Sequence, residues 1–260
     1  MIWATWRQHR AEALAGGAVM AGVTALVLGA NSFDGFASGP TILATWVLVV
    51  LAALPAIAAV FVGAPLLSRD VEQRTHWLIW TQGTPRARWL AHKLLLVFVV
   101  VLAGAIAVGA LVSVLVWSQY ARHNVQPWLW FDMQGPAFVA YTAFGLGLGL
   151  AAGAVIGRSY PAMALTLVVF VAARALDAAV LRRHLLEPLR GTVTIVNGVL
   201  DTSIRLRDVW IVDLDYDRGI LLYEPLDRFW LFQAMEAAIF VGLAALLVAV
   251  AVYWTTRRVR

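Results

Sequence analysis

The sequence predicts an all-α polytopic membrane protein with six transmembrane helices. Two observations predict it: the balance of apolar to charged residues, and the length and spacing of the apolar runs. Of 260 residues, 62% are hydrophobic and 13% charged, and the mean hydropathy is +0.79. A soluble domain carries about 25% charged residues. One core cannot hide this much apolar surface, so hydrocarbon has to be part of the solvent.

The runs lie at residues 12–30, 41–67, 94–118, 135–157, 161–181 and 231–254. Each is close to the ~20 residues a helix needs to cross a bilayer. The first has a long polar leader containing Glu12 and is followed by five more, so it reads as a retained helix rather than a cleaved signal. The whole chain, 1–260, is a single transmembrane domain. Ahead of the first run, Trp3 and Trp6 alternate with Arg7 and Arg10 at helical spacing. This predicts either an interfacial helix, with Trp at the boundary and Arg toward headgroups, or an aromatic belt for the first span.

Orientation follows from the basic residues. The termini and the loops on their side carry Arg7, Arg10, Arg69, Arg74, Arg86, Arg88, Lys93, Arg158, Arg257, Arg258 and Arg260, and the short loops opposite carry only Arg122. The positive-inside rule places both termini in the cytoplasm of a multi-pass protein. Segment 182–228 narrows the margin to 11 against 8. The formal charge of +5 gives no case for nucleic acid, because the basic residues flank apolar runs. Arginine dominance and alanine richness read as a bacterial cell-membrane protein.

Segment 182–228 is the one sizeable polar piece. Thr192–Val196, Val209–Leu214 and Ile220–Tyr223 have strand character, and Asp215–Gly219 reads as a hairpin turn. A small external β-hairpin segment is expected, too small for an enzyme domain.

Catalytic patterns are missing. There is no G-x-x-x-x-G-K-[ST] phosphate loop and no H-E-x-x-H. The five histidines, His9, His76, His92, His123 and His184, stand in loops or at span ends. There is no cysteine, which excludes disulfides, thiol catalysis and cysteine-held metals. No metal site and no bound cofactor is expected.

Three other features stand out. Gly145, Gly149, Gly153 and Gly157 are four apart and make a stripe on the fourth span. Such a stripe permits close approach of another helix, within the chain or across a dimer or moving seam. Pro55 lies in mid-span and should bend the second helix. Arg174 lies about 20 Å into the fifth span from Pro161, and Glu236 about 7–8 Å into the sixth from its opposite edge. These depths nearly coincide, which suggests an Arg174–Glu236 ion pair with Asp177 as a competing partner one turn from Arg174.

The loop 68–93 is the most informative stretch. Arg69–Trp80 can continue as a helix, Gly83 can stop it, and Thr84-Pro85 can cap and start the next. Trp77, Trp80 and the arginines suit a docking surface or interfacial anchors. The words Gly63-Ala-Pro-Leu-Leu-Ser-Arg-Asp-Val-Glu-Gln-Arg-Thr75 and Trp80-Thr-Gln-Gly-Thr-Pro-Arg-Ala-Arg-Trp-Leu-Ala-His-Lys93 resemble the coupling region of ABC-transporter permeases of the type-2 exporter superfamily, actinobacterial members in particular. Tyr223-Glu-Pro-Leu-Asp-Arg-Phe-Trp230, with Gln233 and Glu236, resembles their last span, and Trp6-Arg-Gln their start. The resemblance covers essentially the whole chain and rests on the order of these words. Arg74 departs from it where glycine is usual, and Pro85 where Ser or Thr is common.

The resemblance implies a permease that dimerises, or pairs with a second permease, and docks a separate ABC ATPase through a cytoplasmic coupling helix. ATP and Mg would be held by that partner and none by this chain. By position, Glu72, Thr75, Trp80, Arg86 and Arg88 would make the contact. The competing expectations are a secondary carrier, and a membrane scaffold or receptor that uses the external segment.

Overall fold

The computed structural model describes residues 42–72, 86–123, 125–196, 199–202 and 204–257. The expected span 12–30, the interfacial helix before it, and Thr75, Trp80, Gly83, Thr84 and Pro85 of the loop lie outside the described residues.

Helix α1 (Ile42–Ala58) runs through Pro55 and widens into a π turn over Ala59–Gly63, closed by Ala64 N–H donating to the Ala59 carbonyl at 2.9 Å. A short helix α2 (Pro65–Glu72) continues from it. Helix α3 (Arg86–His123) is longer than the apolar run 94–118 because polar turns extend it at both ends. A 3-10 turn over Pro127–Met133 leads into α4 (Gly135–Ile156), which Gly157 ends in a left-handed conformation, φ 65°. Helix α5 (Ser159–Leu176) follows after two residues. It opens into a second π turn, Asp177–Leu181, and a last 3-10 turn, Arg182–His184. Helix α6 (Phe229–Arg257) closes the described chain.

Among the described residues, five segments are long and apolar enough to span a membrane: Val49–Arg69, Ala91–Arg122, Pro127–Ile156, Ser159–His184 and Leu226–Arg257. They are not equivalent. From Ala140 to Ala154, α4 is buried on all sides, and each of the other described helices packs against it. The remaining helices expose their valines and leucines outward, as at Val99, Val100, Val114, Val168, Val171 and Leu246. This is the distribution hydrocarbon allows: among the described helices the outer ones turn apolar side chains outward and α4 alone is enclosed.

Small residues let the helices come this close. A Cβ on Gly145 would lie 2.9 Å from Ala59 Cβ and 3.1 Å from the Pro55 carbonyl. On Gly149 and Gly153 it would collide with the backbone of the first π turn and of Ala64. The glycine stripe therefore seats the π turn that follows α1 within the same chain. Gly157 does not belong to that seam; it is the helix stop.

Among its described residues the polar segment holds five strands: β1 (Leu189–Thr192), β2 (Thr194–Val196), β3 (Val199–Asp201), β4 (Val209–Asp215) and β5 (Ile220–Pro225). They form a three-stranded antiparallel sheet in the order β1-β5-β4 and a separate β2-β3 pair. The β4–β5 turn is set by Asp215 Oδ1, which accepts from the N–H groups of Asp217 and Arg218, both at 3.1 Å, and by Gly219 at φ 60°. The segment is fastened to the helices. Gln126 Nε2 donates to the Val209 carbonyl at 2.6 Å, and Tyr120 Oη to Asp208 at 2.8 Å. An aromatic cluster of Trp117, Trp128, Phe131, Trp210, Phe229 and Phe232 fills the junction.

Candidate functional site

At the end of the helices nearest the β segment, five charged side chains and a tyrosine meet between α4, α5 and α6. The second π turn builds this site. Its wide loop is closed by Arg182 N–H donating to the Asp177 carbonyl, which sets Arg182 one turn beyond Asp177 on the face that also carries Arg174. π turns inside helices recur at functional sites. From the other side, the 3-10 turn supplies Asp132, α4 supplies Tyr141 and α6 supplies Glu236.

Arg182 is the hub. Its Nε donates to Glu236 Oε1 at 2.5 Å. Its Nη2 donates to Glu236 Oε2 at 3.2 Å, to Tyr141 Oη at 3.3 Å and to Asp132 Oδ1, and lies 3.6 Å from Asp177 Oδ2. Its guanidinium carbon sits 4.3 Å from the centroid of the Phe131 ring. Arg174 bridges Asp177 Oδ2 through Nη1 and Asp132 Oδ1 through Nη2 at 2.9 Å, and stacks on Tyr141 at 3.5 Å. Tyr141 Oη in turn donates to Glu236 Oε2. Glu236 is fully buried and Asp177 nearly so, while 37% of the Asp132 side chain is open.

Charges this deep require partners, and here each cation touches at least two carboxylates. Two guanidiniums face three carboxyl groups. Asp177 Oδ1 is buried without a hydrogen-bond partner. Among the described residues no cluster of His, Cys, Asp and Glu could hold a metal ion.

The structure brings Arg174, Asp177 and Glu236 together, with Arg174 on the competing partner Asp177 and not on Glu236. Arg174 takes Asp177 and Asp132, while Glu236 is held by Arg182 and Tyr141. The reason is the π turn, which carries Arg182 inward. The sequence places Arg182 in the polar segment 182–228, and the structure buries it. Asp132 and Tyr141 were also missed. The eight-residue step from Arg174 to Arg182, two helical turns, was the one available signal.

A polar seam supports the site. Gln233 on α6 accepts from Ala137 N–H at 2.9 Å and donates to the Phe131 carbonyl at 2.8 Å, satisfying the first turn of α4 and the end of the 3-10 turn. Gly135, at φ 65°, leaves room for it; a Cβ there would lie 2.9 Å from Gln233 Oε1.

The opposite end holds a second constellation. Glu72, at the end of α2, accepts from Ser159 Oγ at 2.8 Å and from Ser159 N–H at 3.1 Å. Ser68 Oγ lies 3.1 Å from Ser159 Oγ. The carboxylate thus sits on the N-terminus of α5, where the helix dipole favours it. The Ser159 hydroxyl and then its amide, with Arg158 nearby, hold the Glu72 carboxyl below its ordinary range. Of the five residues that the resemblance assigns to ATPase contact, Glu72 is engaged inside the chain. Arg86 and Arg88 stand in the first turn of α3.

A family model described as ABC-2 membrane transporter related matches residues 6–182, more than half of the chain, ending at Arg182 of the cluster. No curated protein and no solved structure matches the chain.

Proposed function

Because the chain belongs to the ABC-2 membrane transporter related family, we propose that it is the membrane subunit of an ATP-driven ABC exporter. The family match carries this reading. The spans supply a substrate path, and the sequence contains no phosphate loop, so hydrolysis falls to a separate ATPase that holds ATP and Mg. The segment around 68–93 docks that ATPase from the cytoplasm, with Thr75, Trp80, Arg86 and Arg88 in the contact. A second permease copy completes the path. The topology proposed with it has six spans, the first at 12–30 behind an N-terminal interfacial helix. Both termini are cytoplasmic and the β segment is external, in a bacterial cell membrane. The charge cluster then lies toward the outer face.

The test is co-expression with candidate phosphate-loop ATPases. The expected result is co-purification of one of them and ATP hydrolysis by the complex. The purified chain alone is expected to give no nucleotide-binding heat in calorimetry. Binding by the chain itself, free of contaminating ATPase, would defeat the reading.

One observation favours a second reading, a self-sufficient secondary carrier: such a carrier needs ionisable groups within the membrane, and the cluster provides them. The two are separated in proteoliposomes containing the chain alone. Transport driven by a proton or sodium gradient supports the carrier, and inactivity until ATPase and ATP are added supports the exporter.

A further inference from the structure

The two constellations lie at opposite ends of one helix. Helix α5 begins at Ser159, which is bonded to α2, and reaches Arg174 and Asp177, roughly 27 Å away for 18 residues at 1.5 Å each. We propose that Glu72, Ser68 and Ser159 form a permanent joint that makes α2 and α5 a single lever, and that this lever carries displacement of the coupling segment to the charge cluster. This rests on the exporter reading and assigns Glu72 a positioning role in place of an ATPase contact.

Three observations carry it. The joint is doubly made, because one carboxylate oxygen accepts both the hydroxyl and the amide of Ser159. It is backed by close packing: Ser68 is fully buried, and Ala64, Ala152 and Ala162 close a tight contact beside it. The π turn of α1 rests on Gly149, so α2 has no slack against α4. At the far end, α5 and the turns that continue it are held by ion pairs to Glu236 of α6 and Asp132 of the 3-10 turn and by the stack of Arg174 on Tyr141 of α4, rather than by apolar packing alone. A shift of α5 therefore changes which carboxylates Arg174 and Arg182 reach. Ion pairs sharing two guanidiniums can exchange partners, whereas close-packed interfaces resist continuous deformation.

The experiment uses the complex of chain and ATPase in lipid nanodiscs. Hydrogen exchange is read in residues 174–184 with and without ATP, Mg and vanadate. The wild type should show a nucleotide-dependent change there. Glu72→Ala should keep the ATPase bound and lose that change. The chain has no cysteine, so Ser68→Cys with Ser159→Cys introduces its only thiols, and the 3.1 Å Oγ separation suits a disulfide of about 2.05 Å after small adjustment. Oxidising this pair should leave the wild-type response intact. In the Glu72→Ala background oxidation should restore the response, and reduction should abolish it again. A merely structural role for Glu72 does not produce that redox-switched rescue.

An unchanged response in Glu72→Ala overturns the joint, as does an oxidised pair that blocks the response, since the contact would then have to open. Loss of the ATPase from Glu72→Ala overturns it too, returning Glu72 to the docking surface while the exporter reading stands. A wild-type chain that retains no ATPase overturns that reading and removes the lever's input with it.

Discussion

Arg182 serves Glu236, Tyr141 and Asp132 through one guanidinium, so its removal leaves a fully buried carboxyl with only a tyrosine hydroxyl for company. Breaking a buried pair from one side costs about 3–5 kcal/mol. Arg182→Met should therefore lower the unfolding temperature in detergent far more than the double variant Arg182→Met/Glu236→Met does. Equal or additive losses would show that the pair is not coupled. The same cycle on Arg174 and Glu236 should give weaker coupling, because the two share neighbours but not a hydrogen bond. Asp177→Asn should be the mildest carboxyl replacement, since it removes the surplus charge where three carboxyl groups face two guanidiniums. Glu72 adds a pH dependence. Its carboxyl is held below the ordinary range in the folded chain, so its contribution is present at neutral pH and lost as pH falls through and below that range. The difference in unfolding temperature between wild type and Glu72→Gln should close in acid; a constant gap would remove this assignment. At this scale the sequence revealed charges isolated within apolar runs, Arg174 and Glu236. It concealed Asp132 and Arg182, because a charge at the edge of a span looks like any loop charge. What turns Arg182 inward is a single wide turn that leaves no mark in the residue pattern.

Helices pack here by the absence of side chains, and the glycines of α4 can be graded by it. Gly149→Ala would force a methyl group into the backbone of the first π turn. Overpacking of this kind costs about 1–3 kcal/mol, and melting in detergent should register the loss. Gly242→Ala on α6 has nothing within 4 Å of the new methyl and should be neutral; destabilisation as large as at Gly149 would remove packing as the cause. The spans 94–118, 135–157, 161–181 and 231–254 each fall within a described helix or its terminal turns, since long apolar runs report helices directly. The four-residue glycine spacing signalled a contact without naming its partner. The π turn that fits the stripe has an ordinary apolar sequence, Ala59-Val-Phe-Val-Gly63. In the polar segment, Asp215–Gly219 was readable as a turn because its chemistry is local. The β1–β5 pairing was not, because it joins strands separated by more than twenty residues.

For the molecule as a whole, α4 stands as a post with the other helices around it, and this bears on how the protein is made. Helix α4 leaves the ribosome well before α6, yet α6 is its most extensive neighbour. Until α6 arrives, Gln233 is absent from the Ala137 amide and the Phe131 carbonyl, and Arg182 has no Glu236. A nascent chain that has inserted the four described spans ahead of α6 thus carries two unsatisfied sites in its interior, a state that membrane quality control can recognise. Chains truncated at residue 225 should insert but be degraded quickly, and co-expression of residues 226–260 as a separate peptide should extend their lifetime in a pulse-chase. Equal lifetimes with and without the peptide would show that α4 is stable without its last neighbour. Helix α6 thus acts as a clasp of assembly: the thirty-odd residues from Leu226 onward decide whether the two hundred before them survive.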